Sequence, residues 1–192
     1  MSTTQPIKDL KQLSDFKNYY LNISPSPRNY TLIIMGLNTA LRISDILSLR
    51  QQNAWDRDNK RWRTHMEVIE QKTGKHNCIY LNDEIKKVLD NYKCSEWKGT
   101  QYLFPSQKDK KQPITRYQAF RIVKKAAAYA GLSSAHISCH SLRKTFGYQA
   151  WKQGTPPALL MDIYNHSSYQ ITKRYLCIDQ DDRDAVFANT VL

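Results

Sequence analysis

The sequence predicts an α+β protein that is mostly α-helical and carries one small antiparallel β-hairpin. Apolar residues recur at helical spacing along most of the chain. Several of these segments begin with helix-start signals, such as Ser26 before Pro27. One pair of β-prone runs surrounds a glycine-containing turn at 72–75. With 192 residues and a 41% hydrophobic fraction, the chain can bury a core of ordinary size, so we expect a single domain over 1–192.

The first predicted helix covers 7–21 and is expected to pack on the body of the domain. Its apolar stripe consists of Ile7, Leu10, Leu13 and Phe16. Prolines in the segment 24–27 end this helix, so 1–24 forms an N-terminal helical element. Ser26 and Pro27 then provide the N-cap and the first position of a second helix.

A segment around Arg42 follows the second helix. Leu41, Ile46 and Leu49 are predicted core residues, and Arg42 stands between two apolar neighbours. On its own, this pattern indicates only a surface charge at Arg42.

Two β-prone runs, 62–70 and 77–81, predict a hairpin whose turn contains Lys72, Gly74 and Lys75. Lysines in such a turn are ordinarily solvated. An amphipathic helix is expected over 83–94, followed by a polar, lysine-rich loop over 95–113. The residues of that helix expected to face inward are Ile85, Val88 and Leu89.

Thr115 and Gln118 predict a capping box at the start of the next helix, with Ile114 stapled onto Ala119 and Gly131 as the stop. The predicted inner face is Phe120, Val123, Ala127 and Ala130. The rest of the helix is basic and includes Arg116, Arg121, Lys124 and Lys125. A basic face of this kind is usually only solvated.

Ser138 is the predicted N-cap of a helix that carries His140 and Arg143 and ends at Gly154. Residues three apart share a helix face, so His140 and Arg143 can point at one anion. The helix is expected to turn Leu142 and Phe146 inward.

A further helix over 155–164, a turn over 165–168 and a short helix containing Tyr175 are predicted before the tail 179–192. The tail holds four aspartates, followed by the apolar residues Val186, Phe187, Val191 and Leu192.

The net charge of +12 suggests a polyanionic partner, most simply nucleic acid, although membranes and acidic proteins also attract basic chains. No apolar run is long enough to span a bilayer and no signal peptide opens the sequence, so we expect a cytoplasmic protein without a membrane partner. The four cysteines are widely spaced and are expected to be reduced. Cys139, His140 and His136 lack a second ligand pair at zinc spacing, so no metal site is predicted.

The stretch 139–176 combines His140, Arg143, an Asn-His-Ser-Ser run containing His166, and Tyr175 in an Arg-Tyr-Leu run. Together with Ala-Leu-Arg-Ile-Ser-Asp at 40–45, it resembles the tyrosine recombinases, the phage integrase family. The resemblance covers roughly 30–175 and implies their catalytic-domain fold. It assigns six catalytic positions: Arg42, Lys72, His140, Arg143, His166 and Tyr175. It also implies that Asp45 holds Arg42 in place, and Lys75 is a less suitable substitute for Lys72.

The implied reaction cleaves and rejoins DNA at specific sites through a 3′-phosphotyrosine. Paired arginines suit the charge that gathers on the phosphate, and a tyrosine nucleophile needs a proton acceptor, for which His140 is the candidate. His166 would bind a phosphate oxygen or position Tyr175, and Lys72 would protonate the leaving 5′ oxygen. Because the covalent bond conserves the energy of the cleaved one, the resemblance implies no cofactor, neither ATP nor a metal.

The expected partner is double-stranded DNA. The resemblance places the basic helix in the major groove, with Arg116, Gln118, Arg121, Lys124 and Lys125 as DNA-binding residues. It further implies a monomer in solution that assembles as a tetramer on DNA through the tail, with accessory DNA-bending proteins as possible helpers. The alternative is that the apolar residues of the tail fold back on their own domain. The chain resembles short members, such as fimbrial-type invertases or mobile-element integrases, and we expect no separate N-terminal core-binding domain.

Two other functions fit parts of the pattern. A type IB topoisomerase shares the chemistry and would relax supercoiled DNA that lacks a target site. A non-catalytic DNA-binding protein that retains the fold would form no covalent complex with DNA. The small size of the chain and the close match to the integrase motifs disfavour the topoisomerase, and the full set of catalytic residue types argues against the non-catalytic protein.

Overall fold

The computed structural model describes residues 4–92, 101–133 and 136–190, in which two small sheets lie between the fourth and fifth α-helices. The helices are α1 Leu10–Asn18, α2 Pro27–Asn38, α3 Ile43–Ser48, α4 Gln51–Ala54, α5 Asp83–Tyr92, α6 Arg116–Tyr129, α7 Cys139–Lys152, α8 Pro157–Ile163, α9 Tyr169–Leu176 and α10 Gln180–Asn189. A π-helical turn, Tyr19–Ile23, continues α1. The strands are β1 Trp55–Asp56, β2 Arg61–Trp62, β3 His65–Ile69 and β4 His76–Tyr80. The mostly helical α+β prediction is therefore confirmed.

The predicted hairpin is the antiparallel pair β3–β4, in which His65 lies opposite Tyr80 and Ile69 opposite His76. Gly74 closes its turn with a φ of +66°, a backbone conformation that glycine adopts without steric cost. A second antiparallel pair, β1–β2, was not predicted. Each of its strands has two residues, too few to show alternation, and the edge-on packing of the Trp55 and Trp62 rings joins them.

Helix α2 lies at the centre of the molecule and packs against α5 and α7. Four consecutive residues, Leu32 to Met35, are fully buried, which explains why the middle of this helix is apolar on all sides. The contact with α7 depends on Gly36, because a Cβ atom there would lie 2.5 Å from Cδ1 of Leu142.

The apolar interior has two parts. The larger cluster joins α1, α2, α5 and α6 to the hairpin. The smaller cluster lies at the C-terminal end of the domain, and its members are Ala40, Leu160, Tyr164 and Leu176, with Phe146, Trp151 and Tyr175 packed against it. The helix that carries Tyr175 therefore rests on the smaller cluster.

Several predicted inner residues lie elsewhere. Helix α6 buries Ala119, Ile122, Val123, Ala126 and Ala127, so Phe120 is turned outward and is 37% exposed. Leu10 is also exposed, whereas Ile7 is buried from an extended segment that precedes α1 and donates its N–H to Thr145. Phe146 is only half buried. None of the helices in the described ranges is long and apolar enough to cross a membrane.

The tail begins with α10, whose first residues pack on the domain. Asp182 accepts hydrogen bonds from Tyr148 and Lys8, and Lys8 also pairs with Asp179. Farther along, Val186 and Phe187 are exposed. Val191 and Leu192 lie outside the described residues, as do the last two residues of the helix predicted over 83–94 and the part of the predicted lysine-rich loop at 95–100.

Candidate active site

The six sequence-predicted catalytic residues converge where α7, α9, the β3–β4 hairpin and the start of α3 meet. Four of them, His140, Arg143, His166 and Tyr175, form what we call the nucleophile side. Arg42 and Lys72, together with Glu70, form what we call the cleft side. The positions come from local signals: Ser138 caps α7 by accepting the N–H of His140, which places His140 and Arg143 in the first two turns.

On the nucleophile side, the Tyr175 hydroxyl is hydrogen-bonded to Nε2 of His140. Burial lowers the pKa of His140 to about 4, and the positive charges of Arg143 and Lys144 act in the same direction. The imidazole is therefore neutral at neutral pH, and its Nε2 lone pair can accept the phenol proton. Burial also raises the pKa of Tyr175, against the opposing positive charges of Arg143 and Arg42.

Arg143 is fully buried beneath two aromatic rings. Its guanidinium donates to the carbonyl of Ala40 and, at 2.8 Å, to the carbonyl of Tyr164. It lies 4.6 Å from the ring centre of Tyr164 and 5.9 Å from that of Tyr175, while Nε has no hydrogen-bond partner among the described residues. Burial lowers the pKa of Arg143, with Arg42 adding to the effect. The guanidinium is therefore closed to solvent, and the rings of Tyr164 and Tyr175 are among the groups beside it.

Tyr164 contacts both Arg143 and His166 and so helps to fix their positions. Its buried hydroxyl donates to the Arg143 carbonyl at 2.7 Å, and its ring stacks on His166 with centroids 5.0 Å apart. Gly147 makes room for it, because a Cβ atom there would lie 2.1 Å from the Tyr164 hydroxyl oxygen. Nδ1 of His166 is 3.0 Å from the Thr172 hydroxyl oxygen, and burial followed by the charge of Arg143 lowers the pKa of His166 to about 4.

On the cleft side, Arg42 forms an ion pair with Glu70, whose side chain is fully buried. Glu70 also accepts hydrogen bonds from Thr73 at 2.8 Å and from the Asn165 amide at 3.4 Å. Burial alone would raise the pKa of Glu70, but the Thr73 hydrogen bond and the Arg42 guanidinium outweigh it and hold that pKa below its ordinary value.

The prediction that Asp45 holds Arg42 is wrong. Asp45 is buried, and one of its carboxylate oxygens accepts the backbone N–H of Gln71 at 3.0 Å, so it anchors the hairpin turn beside Lys72. Sequence reasoning missed Glu70, although a signal was present. Glu70 is in phase with the buried Met66 on a period of two, and a carboxylate on the inner face of a strand needs a partner.

The two hairpin lysines have different surroundings. Lys72 is exposed and lines a cleft of about 820 Å³ with Arg42 and His140. Lys75 instead approaches the backbone carbonyl of Asn165, with its Nζ 3.4 Å from the oxygen. The geometry therefore favours Lys72 over Lys75 as the lysine that can reach a group bound in the cleft.

Of the five predicted DNA-binding residues on α6, the structure places Arg116 at the cleft. Gln118 completes the predicted capping box: its Oε1 accepts the Thr115 N–H at 2.8 Å. The other three, Arg121, Lys124 and Lys125, lie farther along the helix and do not line the cleft. Tyr117 and Phe120, which sequence reasoning did not assign to DNA, do line it.

In the described ranges, no three His, Cys, Asp or Glu side chains are grouped to hold a metal ion.

The chain is similar in sequence and in structure to known integrases and recombinases. The model of the phage integrase family matches residues 7–181. The chain is 40% identical over 187 residues to the probable integrase/recombinase YoeC of Bacillus subtilis (strain 168), a match that covers 97% of each chain.

Among solved structures, the XerA recombinase superposes with a TM-score of 0.78 at 17% identity, covering 100% of this chain and 66% of that one. The XerH site-specific recombinase bound to palindromic difH substrate, in a post-cleavage complex, superposes with a TM-score of 0.73 at 18% identity, covering 98% and 54%. The chain thus spans 66% or less of these two solved recombinases, and at this level of identity they establish the fold alone.

Proposed function

The chain belongs to the phage integrase family, and from that premise we propose that its site cleaves and rejoins DNA at specific sequences with the Tyr175 hydroxyl as the nucleophile. The observation that carries this proposal is the hydrogen bond between Tyr175 and the neutral His140, beside the two arginines. A phenol already bonded to a proton acceptor, next to groups that bind phosphate, is the arrangement that tyrosine attack on a phosphodiester requires.

In the first step, the Tyr175 oxygen attacks the phosphorus of the scissile phosphodiester. The phenol proton passes to Nε2 of His140, a bond forms between oxygen and phosphorus, and the bond from phosphorus to the 5′ oxygen breaks. The product is a 3′-phosphotyrosine and a free 5′ hydroxyl. Rejoining reverses these events with a 5′ hydroxyl from the same or another strand, so no external energy source enters the balance.

The arginines stabilise the charge that develops on phosphate. Arg42 is partly open to the cleft. Arg143 lies beside the Tyr175 ring, and we expect its guanidinium to become accessible to phosphate when that ring moves towards the phosphorus atom. The bound phosphate adds negative charge beside His140, which offsets the charges of Arg143 and Lys144 and raises the basicity of the imidazole when it must accept a proton. His166 donates to a phosphate oxygen or holds the Tyr175 ring, which lies 4.7 Å away between centroids.

Lys72 donates the proton that the leaving 5′ oxygen needs. It lines the same cleft as Arg42 and His140. The hairpin turn that carries Lys72 is anchored by the hydrogen bond from the Gln71 N–H to the Asp45 carboxylate. Neither a metal nor ATP is required for these steps, so EDTA is expected to leave the cleavage rate unchanged.

Double-stranded DNA is the substrate that fits a net charge of +12 and the basic face of α6. We place Arg116, Gln118, Arg121, Lys124 and Lys125 on the DNA side of the molecule, with the last three contacting phosphates. The reaction takes place in the cytoplasm.

For exchange between two sites, a monomer in solution would assemble as a tetramer on DNA. The exposed apolar residues of α10, Val186 and Phe187, would dock on a neighbouring protomer, while Asp182 keeps the start of that helix on its own domain. Phe187→Ser is expected to leave the melting temperature and single-site binding unchanged and to abolish synapsis. A large fall in melting temperature would show instead that Phe187 packs within its own chain.

The test of the function is covalent trapping on a duplex that carries a nick next to the cleavage position, so that the freed 5′ fragment diffuses away. Mass spectrometry of the digested adduct is expected to locate the nucleotide on Tyr175. Tyr175→Phe is expected to bind DNA like wild type and to form no adduct, whereas Tyr169→Phe, an exposed tyrosine in the same helix, serves as the matched control and retains activity. An adduct formed by Tyr175→Phe would refute the assignment, and relaxation of supercoiled DNA without any site would favour a type IB topoisomerase.

A further inference from the structure

Helix α6 carries two aromatic side chains that face solvent beside the active site. Tyr117 is 68% exposed and Phe120 is 37% exposed. They are three residues apart, so they share a helix face, and both line the cleft that contains Arg42 and Lys72. The buried face of α6 is formed by small and aliphatic residues instead, so burial in the core does not account for these rings.

The surroundings of the two rings are cationic. Arg116 lines the same cleft, and Nζ of Lys124 lies 5.0 Å from the Phe120 ring centre. Among the described residues that line the cleft, none is a carboxylate. An apolar pair within a positively charged surface fits an occupant that presents both phosphates and apolar groups. The DNA major groove does so, because thymine exposes its C5-methyl group there.

Gln118, one of the two predicted DNA-binding residues in the first turn of this helix, is already engaged. Oε1 of Gln118 accepts the Thr115 N–H, and the Gln118 backbone N–H donates to the Thr115 hydroxyl at 3.1 Å. A glutamine reads adenine by using its amide oxygen and nitrogen together. Gln118 would have to give up the capping box to do this, whereas Tyr117 and Phe120 are free of helix-capping contacts and already point into the cleft.

We propose that Tyr117 and Phe120 read the C5-methyl groups of thymine beside the scissile phosphate, so that apolar contact sets part of the site preference. This inference rests on the proposed function, because it takes the occupant of the cleft to be duplex DNA. The rings lie along the same cleft as Lys72 and His140, which restricts the thymines to base pairs next to the cleavage position.

The probe is a pool of DNA duplexes with a randomised centre, from which the full chain selects its preferred sequence. Each thymine of the selected duplex is then replaced by deoxyuridine, which removes one methyl group and leaves base pairing intact. We expect about fourfold weaker binding at the contacted position, the value for one methyl group taken out of an apolar contact. Phe120→Ala or Tyr117→Ala is expected to remove that sensitivity at the same position.

Tyr129→Ala is the matched control, because Tyr129 is an exposed tyrosine at the far end of the same helix and packs near Tyr19. It is expected to keep the full response to deoxyuridine. Equal melting temperatures of the variants verify that the folds are intact.

A pool that yields no preferred sequence, or wild-type binding that is indifferent to deoxyuridine at every thymine, would overturn the inference. So would an unchanged deoxyuridine response in both alanine variants. Covalent trapping on the selected duplex separates the two proposals. An adduct without a deoxyuridine effect rejects only thymine reading, and a deoxyuridine effect without any adduct rejects only the catalytic proposal.

Discussion

The nucleophile side and the cleft side of the active site differ in how they hold an arginine. Arg143 is fully buried, and neutral backbone carbonyls and aromatic rings surround it. Arg42 keeps 18% of its side chain exposed and is neutralised by a buried carboxylate, Glu70. An arginine is therefore held by neutral hydrogen-bond acceptors on the nucleophile side, and by an ion pair with a carboxylate on the cleft side.

This difference indicates how the two sides are prepared for DNA. A guanidinium without a directly bonded carboxylate has a strong affinity for an incoming phosphate, but Arg143 is closed to solvent. A paired guanidinium is weaker as an anion site but is ready in the open cleft. Under the proposed function, we expect the binding of phosphate to Arg143 to accompany a movement of the Tyr175 ring.

On the cleft side, the largest expected effect comes from Lys72. Lys72→Ala is expected to slow cleavage roughly 100- to 10,000-fold, the range for loss of a general acid. A substrate with sulfur in place of the leaving 5′ oxygen is expected to restore the rate, because sulfur departs without a proton. Lys75→Ala, in the same turn, is the control and should respond little on either substrate. Equal defects of Lys72→Ala on both substrates would assign Lys72 to phosphate binding.

On the nucleophile side, the most sensitive position is Gly147. Gly147→Ala would place a methyl group 2.1 Å from the Tyr164 hydroxyl oxygen and is expected to lower the free energy of unfolding by about 3 kcal/mol. Denaturant unfolding measures this change. Tyr164→Phe in the same chain removes the nearest atom and is expected to recover part of the loss. If the changes in the free energy of unfolding of the two substitutions were strictly additive, the methyl group at position 147 would not contact the side chain at position 164.

The buried carboxylate of the cleft side can be neutralised by Glu70→Gln. The free energy of unfolding at neutral pH is expected to fall by about 2 kcal/mol, a typical value for a hydrogen bond to a charged group. Because the pKa of Glu70 is lowered in the folded protein, its contribution is present above pH 4.5 and is lost as the pH falls through the folded value. The gap between wild type and variant should narrow in acid, whereas Glu67→Gln, which removes an exposed pair with His76 on the outer face of β3, should change the stability much less.

The smallest expected effect concerns Asp182, which ties α10 to Lys8 and Tyr148 behind the nucleophile side. Burial would raise its pKa, but hydrogen bonds from the Asp179 N–H, Tyr148 and Lys8 lower it from 3.8 to about 2. The stabilisation, roughly 1–2 kcal/mol, is present above pH 3.8 and disappears as the pH falls towards 2. In Asp182→Asn, the free energy of unfolding should no longer fall between pH 3.8 and 2 because of this group, whereas the variant of an exposed aspartate, Asp162→Asn, should keep the wild-type fall. Identical dependences of the unfolding free energy on pH in wild type and Asp182→Asn would contradict the assignment.

The helix starts show what local sequence can predict. The expected N-caps Ser26, Thr115 and Ser138 all accept backbone N–H groups as anticipated. Capping involves residues two or three positions apart, so the chain carries the whole interaction within one short segment. The β3–β4 hairpin was predictable for the same reason, because its turn and its two strands are contiguous.

Phe120 and Asp45 show where this approach stops. The apolar residues of α6 cover more than one face, and periodicity treats alanine and phenylalanine alike, so it could not decide that the small residues face the core. Asp45 was assigned to Arg42 because it is close in sequence, but Glu70, 28 residues from Arg42, reaches it through the hairpin. Likewise, nothing local predicts that Arg143 is fully buried.

The sequence by itself determined the fold class, the capped helices and the family, because each of these depends on patterns within contiguous segments. The tertiary structure alone decided which carboxylate neutralises Arg42, which lysine faces the cleft, how deeply Arg143 is buried and which face of α6 is free. The physical reason is that burial and charge pairing depend on neighbours brought from distant segments, and a side chain acquires its pKa, its partner and its exposure only when those segments pack together.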